Sequence, residues 1–302
     1  MTRRTLSGLR CEVDRKSTWY PASFEALAQP PEKLYLIGDP TALVEGLAVI
    51  GARRATPYGL SCAHRFALLA AKRGVCIISG GAVGCDSQAH LAALEVQART
   101  VVFLGGGCDR LYPASHAEMF QRIVDSGGAV VSEYGWDQDP RPYAFRLRNR
   151  LIAGLSRAVL IVEAGLPSGT FSTADEALGM GKEVLVVPGA ITSQSSRGSN
   201  RLLFQGATPI VDDETFNDIL GQTFELLELA LNEQAVPVVR SEPDRALLEA
   251  LRSSPLDIES LRTLAQEIAP QGDSQGWLME KIAEFETSGL VARYINGRWG
   301  PA

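Results

Sequence analysis

The chain has 302 residues, 45% of them apolar, with 29 Lys+Arg against 35 Asp+Glu and a net charge of −6. This composition excludes a disordered chain, and no apolar run approaches the ~18 residues of a membrane-spanning helix. The polar first 25 residues lack the apolar core of a signal peptide, the five cysteines (11, 62, 76, 85 and 108) form no C-x-x-C pair, and three histidines give no metal-ligand spacing. The thiols therefore read as free cysteines of a reducing cytosol, with Cys76 in the core and no cofactor implied.

Seven short apolar runs recur along the chain: Leu47–Gly51, Val75–Gly80, Thr100–Gly105, Ala129–Glu133, Ala158–Glu163, Glu183–Pro188 and Thr208–Asp212. Runs such as "VVFLG" are apolar on successive residues, as in strands buried on both faces. Helical stretches lie between them, for example "GLSCAHRFALLAAKRG" and "ASHAEMFQRIVDSGG", with Gly74 and Gly127 as stops. Strands alternating with helices predict a doubly wound, mainly parallel α/β sheet. Residues 221–243 read as the end of a helix and a linker. Residues 244–302 then read as three helices and a hairpin turning at Asn296-Gly297, a small C-terminal winged-helix domain.

Five strand-to-helix turns are rich in glycine: 51–59, 79–90, 105–113, 163–176 and 188–200. Glycine allows close backbone approach, and helix starts favour anions. None of the turns is a G-x-G-x-x-G fingerprint or a Walker loop. Positive charge gathers at the same edge. "FRLRNRLIAGLSR" (145–157) carries Arg146, Arg148, Arg150 and Arg157 without an acid, and no acid occurs between Glu45 and Asp86, where Arg53 and Arg54 fall. If 145–150 is extended, its three alternate arginines share one face, about 6–7 Å apart. The planar guanidinium suits phosphate. Arg65, Lys72 and Arg73 read as a solvated helix face, and Arg157 as a structural residue near a helix end. Asp86 and His90 could form an acid/base pair at i, i+4, but read more simply as a helix N-cap and a residue of the same first turn.

In order, "GARRATPYG", "SGGAVGCDSQAH", "GGGCDRLYP", "VVSEYG", "FRLRNRLIAGLS", "IVEAGLPSGTFSTADEA" and "VPGAITSQSSRGSNRLLFQGA" resemble the DprA/Smf family of DNA-processing proteins over about residues 15–212. The resemblance implies a Rossmann-like domain over 41–220, entered through an N-terminal extension (1–40) that packs on it. It also implies a cytoplasmic, non-enzymatic, homodimeric binder of single-stranded DNA that protects strands and loads the RecA recombinase in natural transformation or recombination, with no membrane partner. Matched residue by residue, the family's motifs fall on Arg53, Ser79, Gly80, Arg148, Asn149, Arg150, Ser168, Gly169 and Thr170. Arg54, Gly81, Arg146, Arg197 and Asn200 complete the candidate DNA-binding set. The chain departs from the family pattern at Ala52, Val83, Cys85, Ala114 and Arg146.

A rival comes from "SGTFSTADE" (168–176), which distantly resembles the loop of LOG-like nucleotide phosphoribohydrolases and would make Glu176 a catalytic carboxylate. There Thr170 and Ser172 replace two glycines needed for close phosphate approach. Residues around Leu202, Leu203 and Phe204 are candidates for a dimer surface. The tail is not expected to read duplex DNA: residues 241–302 hold six Lys+Arg and ten Asp+Glu, a net of −4, against the basic recognition helix a major groove requires.

Overall fold

The computed structural model describes residues 5–225, 241–270, 272–287, 290–294 and 297–301. The chain divides into two compact units, Met1–Leu227 and Glu228–Ala302. The first is built on strands β1 (Arg10–Asp14), β2 (Lys33–Gly38), β3 (Gly46–Ile50), β4 (Ile77–Ser79), β5 (Thr100–Phe103), β6 (Ala129–Ser132), β7 (Ser156–Ile161), β8 (Glu183–Val186) and β9 (Thr208–Pro209). They form one sheet in the order β1-β2-β6-β5-β4-β3-β7-β8-β9. β3 to β9 correspond to the seven apolar runs, and the pairings among them are parallel. β2 is antiparallel to both β1 and β6, so the N-terminal segment extends the same sheet at one edge.

The order has one reversal. From β3 the chain winds outward through β4, β5 and β6, then returns to β7 on the other side of β3 and winds outward again through β8 and β9. Connections leaving β3 and β7 diverge to opposite sides, which opens a crevice at their carboxyl ends.

The helices that cover the sheet are α1 (Pro57–Lys72), α2 (Cys85–Glu95), α3 (Ala117–Asp125), α4 (Pro142–Leu155), α5 (Thr170–Gly179), α6 (Arg197–Phe204) and α7 (Asp213–Phe224). The alternation of β3 divides them. Leu47 and Val49 pack with Ala63, Phe66 and Ala67 of α1 and Ala89 and Ala92 of α2. Ala48 and Ile50 pack with Leu151 and Ile152 of α4 and Ala174 and Ala177 of α5. Thr56 caps α1 through the Gly59 N–H with Pro57 in the first turn, and Gly74 and Gly127 follow α1 and α3 at positive φ, as their stop role requires. Arg65 forms a bidentate pair with Asp213, and Arg73 donates to the Asn217 carbonyl. Two arginines of the supposedly solvated face thus fasten α1 to α7.

The segment 142–155 is helical, not extended, which overturns the period-two reading of its arginines. The positions that recur inward are Ala144, Arg148, Leu151, Ile152 and Leu155, all buried. That spacing of three and four is the helical period. Its carboxyl end is held by Lys182, whose Nζ donates to the carbonyls of Ala153, Gly154 and Ser156 at 2.9, 2.7 and 2.6 Å.

The second unit has α8 (Glu242–Ser253), α9 (Ile258–Ile268), α10 (Ser274–Thr287), β10 (Val291–Arg293) and β11 (Trp299–Pro301), the three-helix and hairpin order of a winged helix. Leu247, Leu251, Leu261, Leu278, Ile282, Phe285 and Trp299 form its core. Position 296 of the expected turn and positions 226–240 of the expected linker lie outside the described residues.

His90 and Asp86 do not play the parts expected of them. The cap of α2 is Gly84, with no side-chain bond, and His90 lies wholly buried in the second turn. Its Nδ1 meets Thr100 Oγ1 at 2.7 Å, and that hydroxyl donates to the Ile77 carbonyl. The ring therefore donates through Nδ1 and is neutral. Burial, followed by the charges of His116 and Arg148, lowers its pKa from 6.5 to about 3. The unfolded chain thus binds a proton that the folded one refuses, and stability contributed by neutral His90 is complete above pH 6.5 and lost as pH falls towards 3. Urea denaturation across this window should show a slope approaching about 1.4 kcal/mol per pH unit from this residue, reduced in His90→Gln.

Candidate functional site

A cleft of about 550 Å³ opens at the carboxyl ends of β3 and β7, where the sheet order reverses. Its walls come from five segments, one of them the loop after β5, which gives Tyr112. The turn after β3 gives Gly51, Ala52 and Arg53. The turn after β4 gives Ala82, and α2 gives Asp86. Helix α4 gives Phe145, Arg146, Arg148 and Asn149, and the loop after β7 gives Ser168, Gly169 and Thr170. A smaller pocket of about 100 Å³, lined also by Gly80, Val83 and Pro113, shares Arg53, Ala82, Tyr112, Phe145 and Arg148 with it.

Helical geometry gives the three arginines of α4 different fates. Arg146 is exposed and lines the cleft. Arg148 is 5% exposed: its Nη1 donates to the carbonyls of Gly80, at 2.8 Å, and Phe103, and its Nε to Asn149 Oδ1. Burial lowers its pKa to about 10, against the opposing pull of Asp86, so it is charged at neutral pH. Arg150 turns away and pairs with Glu133, Nη1 to Oε1 at 2.8 Å. Arg53 is exposed and rests 5.5 Å from the Phe145 ring centroid, a cation–π distance.

Asp86 faces the same cleft. Its Oδ2 accepts from the amides of Gly80 and Ala82 at 3.1 and 3.4 Å. Burial raises its pKa, while Arg148 and those amides pull it back. Asn149 donates to Ser172 Oγ at 2.8 Å and ties α4 to α5. Ser168 accepts from the Thr170 amide and donates to its hydroxyl.

Other candidate residues stand outside the cleft walls. Ser79 is buried and donates to the Val49 carbonyl. Gly81 has φ +67°, and a Cβ there would collide with Val102 and Phe120, a packing role. Asn200 is bonded both ways to the Gly189 backbone and fixes the turn after β8. Arg54 and Arg197 are exposed but line neither pocket. The sequence reading missed the aromatic walls: Tyr112 and Phe145, with centroids 5.3 Å apart. Both sat inside motifs noted for their charge and glycine.

Three guanidinium groups, one buried carboxylate and two aromatic rings thus gather around a crevice in a doubly wound sheet, a set suited to an anionic ligand that carries flat rings. Comparison with known proteins narrows the class. Residues 13–222 match the family model for DNA recombination-mediator protein A, and the chain belongs to that family. It is 36% identical to the putative DNA processing protein DprA of Mycobacterium tuberculosis over 252 residues, 83% of this chain and 63% of that one. It is 41% identical to protein Smf of Escherichia coli over 203 residues, 67% of this chain and 54% of that one. The chain therefore spans less than two thirds of either relative. DNA processing protein A from Helicobacter pylori, whose structure bears on its single-stranded DNA binding mode, superposes with a TM-score of 0.65 at 32% identity, covering 74% of this chain and 99% of that one.

The close fit of Arg148 yields a stability prediction. A Cβ at Gly80 would collide with its guanidinium, so Gly80→Ala should cost about 1–3 kcal/mol. Arg148→Met, which leaves Asp86 buried without its counter-charge, should cost about 3 kcal/mol or more. Exposed Arg53→Ala should stay within about 0.5 kcal/mol. Chemical denaturation of the three variants checks the ranking.

Proposed function

We propose that this chain binds single-stranded DNA in the cleft, without catalysis, and serves DNA processing in transformation or recombination as a cytoplasmic homodimer that delivers strands to the RecA recombinase. The observation that carries this reading is the joining of Arg53, Arg146 and Arg148 with Phe145 and Tyr112 in one cleft. Charge to hold a backbone and ring faces to stack bases are what sequence-tolerant single-strand binding needs. The Helicobacter pylori protein supports the choice of single-stranded DNA. Among the described residues no helix is long and apolar enough to cross a membrane.

Glu176 is not among the residues lining the cleft. No observation favours the phosphoribohydrolase alternative, and incubation with nucleoside monophosphates should release no free base. The second unit contributes little positive charge. In α10 the exposed positions Gln275, Gly276, Met279, Glu280, Ala283 and Glu286 include no base, while Lys281 is engaged by Asp244 and Glu284. A recognition helix facing phosphate with that surface would be repelled.

Self-association has a sharper candidate than the one read from sequence. Leu202 belongs to the core and Leu203 is half-buried, but Phe204 is 80% exposed. Ile191, in the turn after β8, is 90% exposed. We assign the dimer contact to Phe204, and light scattering should show Phe204→Asp as a monomer while the unaltered protein is dimeric.

The DNA reading is tested by gel shift with single- and double-stranded oligonucleotides across salt. Single strands should bind more tightly, with log K falling by about 0.7 per log salt for each phosphate contact. Arg53→Glu should weaken binding about tenfold or more. Arg65→Glu, at a residue that lines neither pocket, should change it little. Equal losses from both would show diffuse attraction and no mapped cleft.

A further inference from the structure

Strand β3 and helix α1 open the parallel winding of the sheet. In dinucleotide-binding sheets the start of that first helix holds a pyrophosphate, because a helix N-terminus offers partial positive charge and free amides. Here the start of the 16-residue α1 is already engaged by the protein itself. Glu163, just past β7, is 2% exposed, and its Oε2 accepts from the Thr56 amide at 2.9 Å and the Thr56 hydroxyl at 3.0 Å. The same hydroxyl oxygen accepts from the Gly59 amide at 3.2 Å. The first turn of α1 is thus linked to one carboxylate through one side chain.

Glycine permits this approach. A Cβ at Gly59 would collide with Glu163 Oε2. Backbone drawn so close to an oxyanion is what a glycine-rich turn provides for a phosphate, and here a side chain of the same chain takes the place. Among the described residues the Glu163 carboxylate has no hydrogen bond beyond Thr56, and its Oε1 is buried without a partner. A carboxylate enclosed in this way is costly without opposite charge. The positive end of α1 supplies that charge.

We propose that Glu163 is a built-in anion that fills the phosphate seat at the start of α1 and so denies that seat to free nucleotides. Glu163 lines neither pocket, so this role stands apart from the single-strand reading given above. It is a specificity-determining residue that acts by occupancy. The helix end that would select a mononucleotide or dinucleotide phosphate is closed from within, and an incoming anion meets arginine side chains instead. Gly59 belongs to the same device, since only a residue without a side chain lets the helix rest on the carboxylate.

Thermal unfolding of the full chain in acetate, phosphate and chloride at equal ionic strength tests this. Glu163→Ala vacates the seat. Relative to chloride, acetate and phosphate should each raise the melting temperature of this variant by about 3 °C more than they raise that of the unaltered protein. Adding Gly59→Ala puts a methyl group into the vacated space and should abolish the excess. Equal responses of the unaltered protein and Glu163→Ala overturn the proposal, and so does an excess that survives Gly59→Ala, which would place the anion elsewhere. A response to acetate alone makes the position a carboxylate site and overturns the exclusion of phosphate. Folding of Glu163→Ala only in acetate and phosphate is the expected excess in its strongest form. If the variant folds in neither, Glu163→Gln decides. It keeps the volume and the acceptor for Thr56 but not the charge, and its folding equilibrium should fall about tenfold. An unchanged equilibrium overturns the built-in anion.

Discussion

The grip of Arg148 on the backbone ends of two strands organises the rest of the site. Its guanidinium lies against Gly80, just past β4, and reaches the carbonyl of Phe103 at the end of β5. Strand ends in a parallel sheet leave carbonyls without ladder partners, and such groups buried unpaired are destabilising. One cation satisfies two of them and links α4 to both strands. The charge that does this is brought into the interior at a cost of desolvation, visible in its lowered pKa. Asp86 offsets part of that cost from across the 80–82 turn. Glycine at 80 is required because no side chain fits between that turn and the guanidinium.

This arrangement divides the arginines by job. Arg148 builds the floor, Arg150 is neutralised by Glu133, and Arg65 and Arg157 pair with Asp213 and Glu45 on the surface. Arg53 and Arg146 are the cations of the cleft left facing solvent. A local surplus of basic residues thus becomes a small number of directed charges on an otherwise acidic protein, which confines attraction for a polyanion to one crevice.

The parallel strands were legible because successive apolar residues in runs such as 100–103 and 158–161 leave little choice but burial on both faces. The two antiparallel strands were not, since Arg10–Asp14 alternates charge with apolar residues on an edge and resembles a polar extension. The arginine segment misled for a related reason. Arg146, Arg148 and Arg150 fit a period of two, and only Ala144, Leu151, Ile152 and Leu155 betray the helical one. An inward-facing arginine breaks the rule that charge marks the outside, and no pattern in a single sequence announces it. Asp86 was hidden in the same way. Two residues into a helix, an acid looks like a capping device, and only the fold shows that its carboxylate turns back towards a cleft. The aromatic walls needed three dimensions, because Tyr112 and Phe145 are 33 residues apart in the chain.

Helix α4 runs from the cleft, where Pro142 is a wall residue, to the Lys182 ammonium at its far end. A helix carries a partial positive charge at its start and a partial negative one at its finish. The lysine satisfies the carbonyls of the negative end, and the positive end lies at the crevice. The field at the cleft mouth therefore belongs in part to a backbone that no count of charged side chains includes.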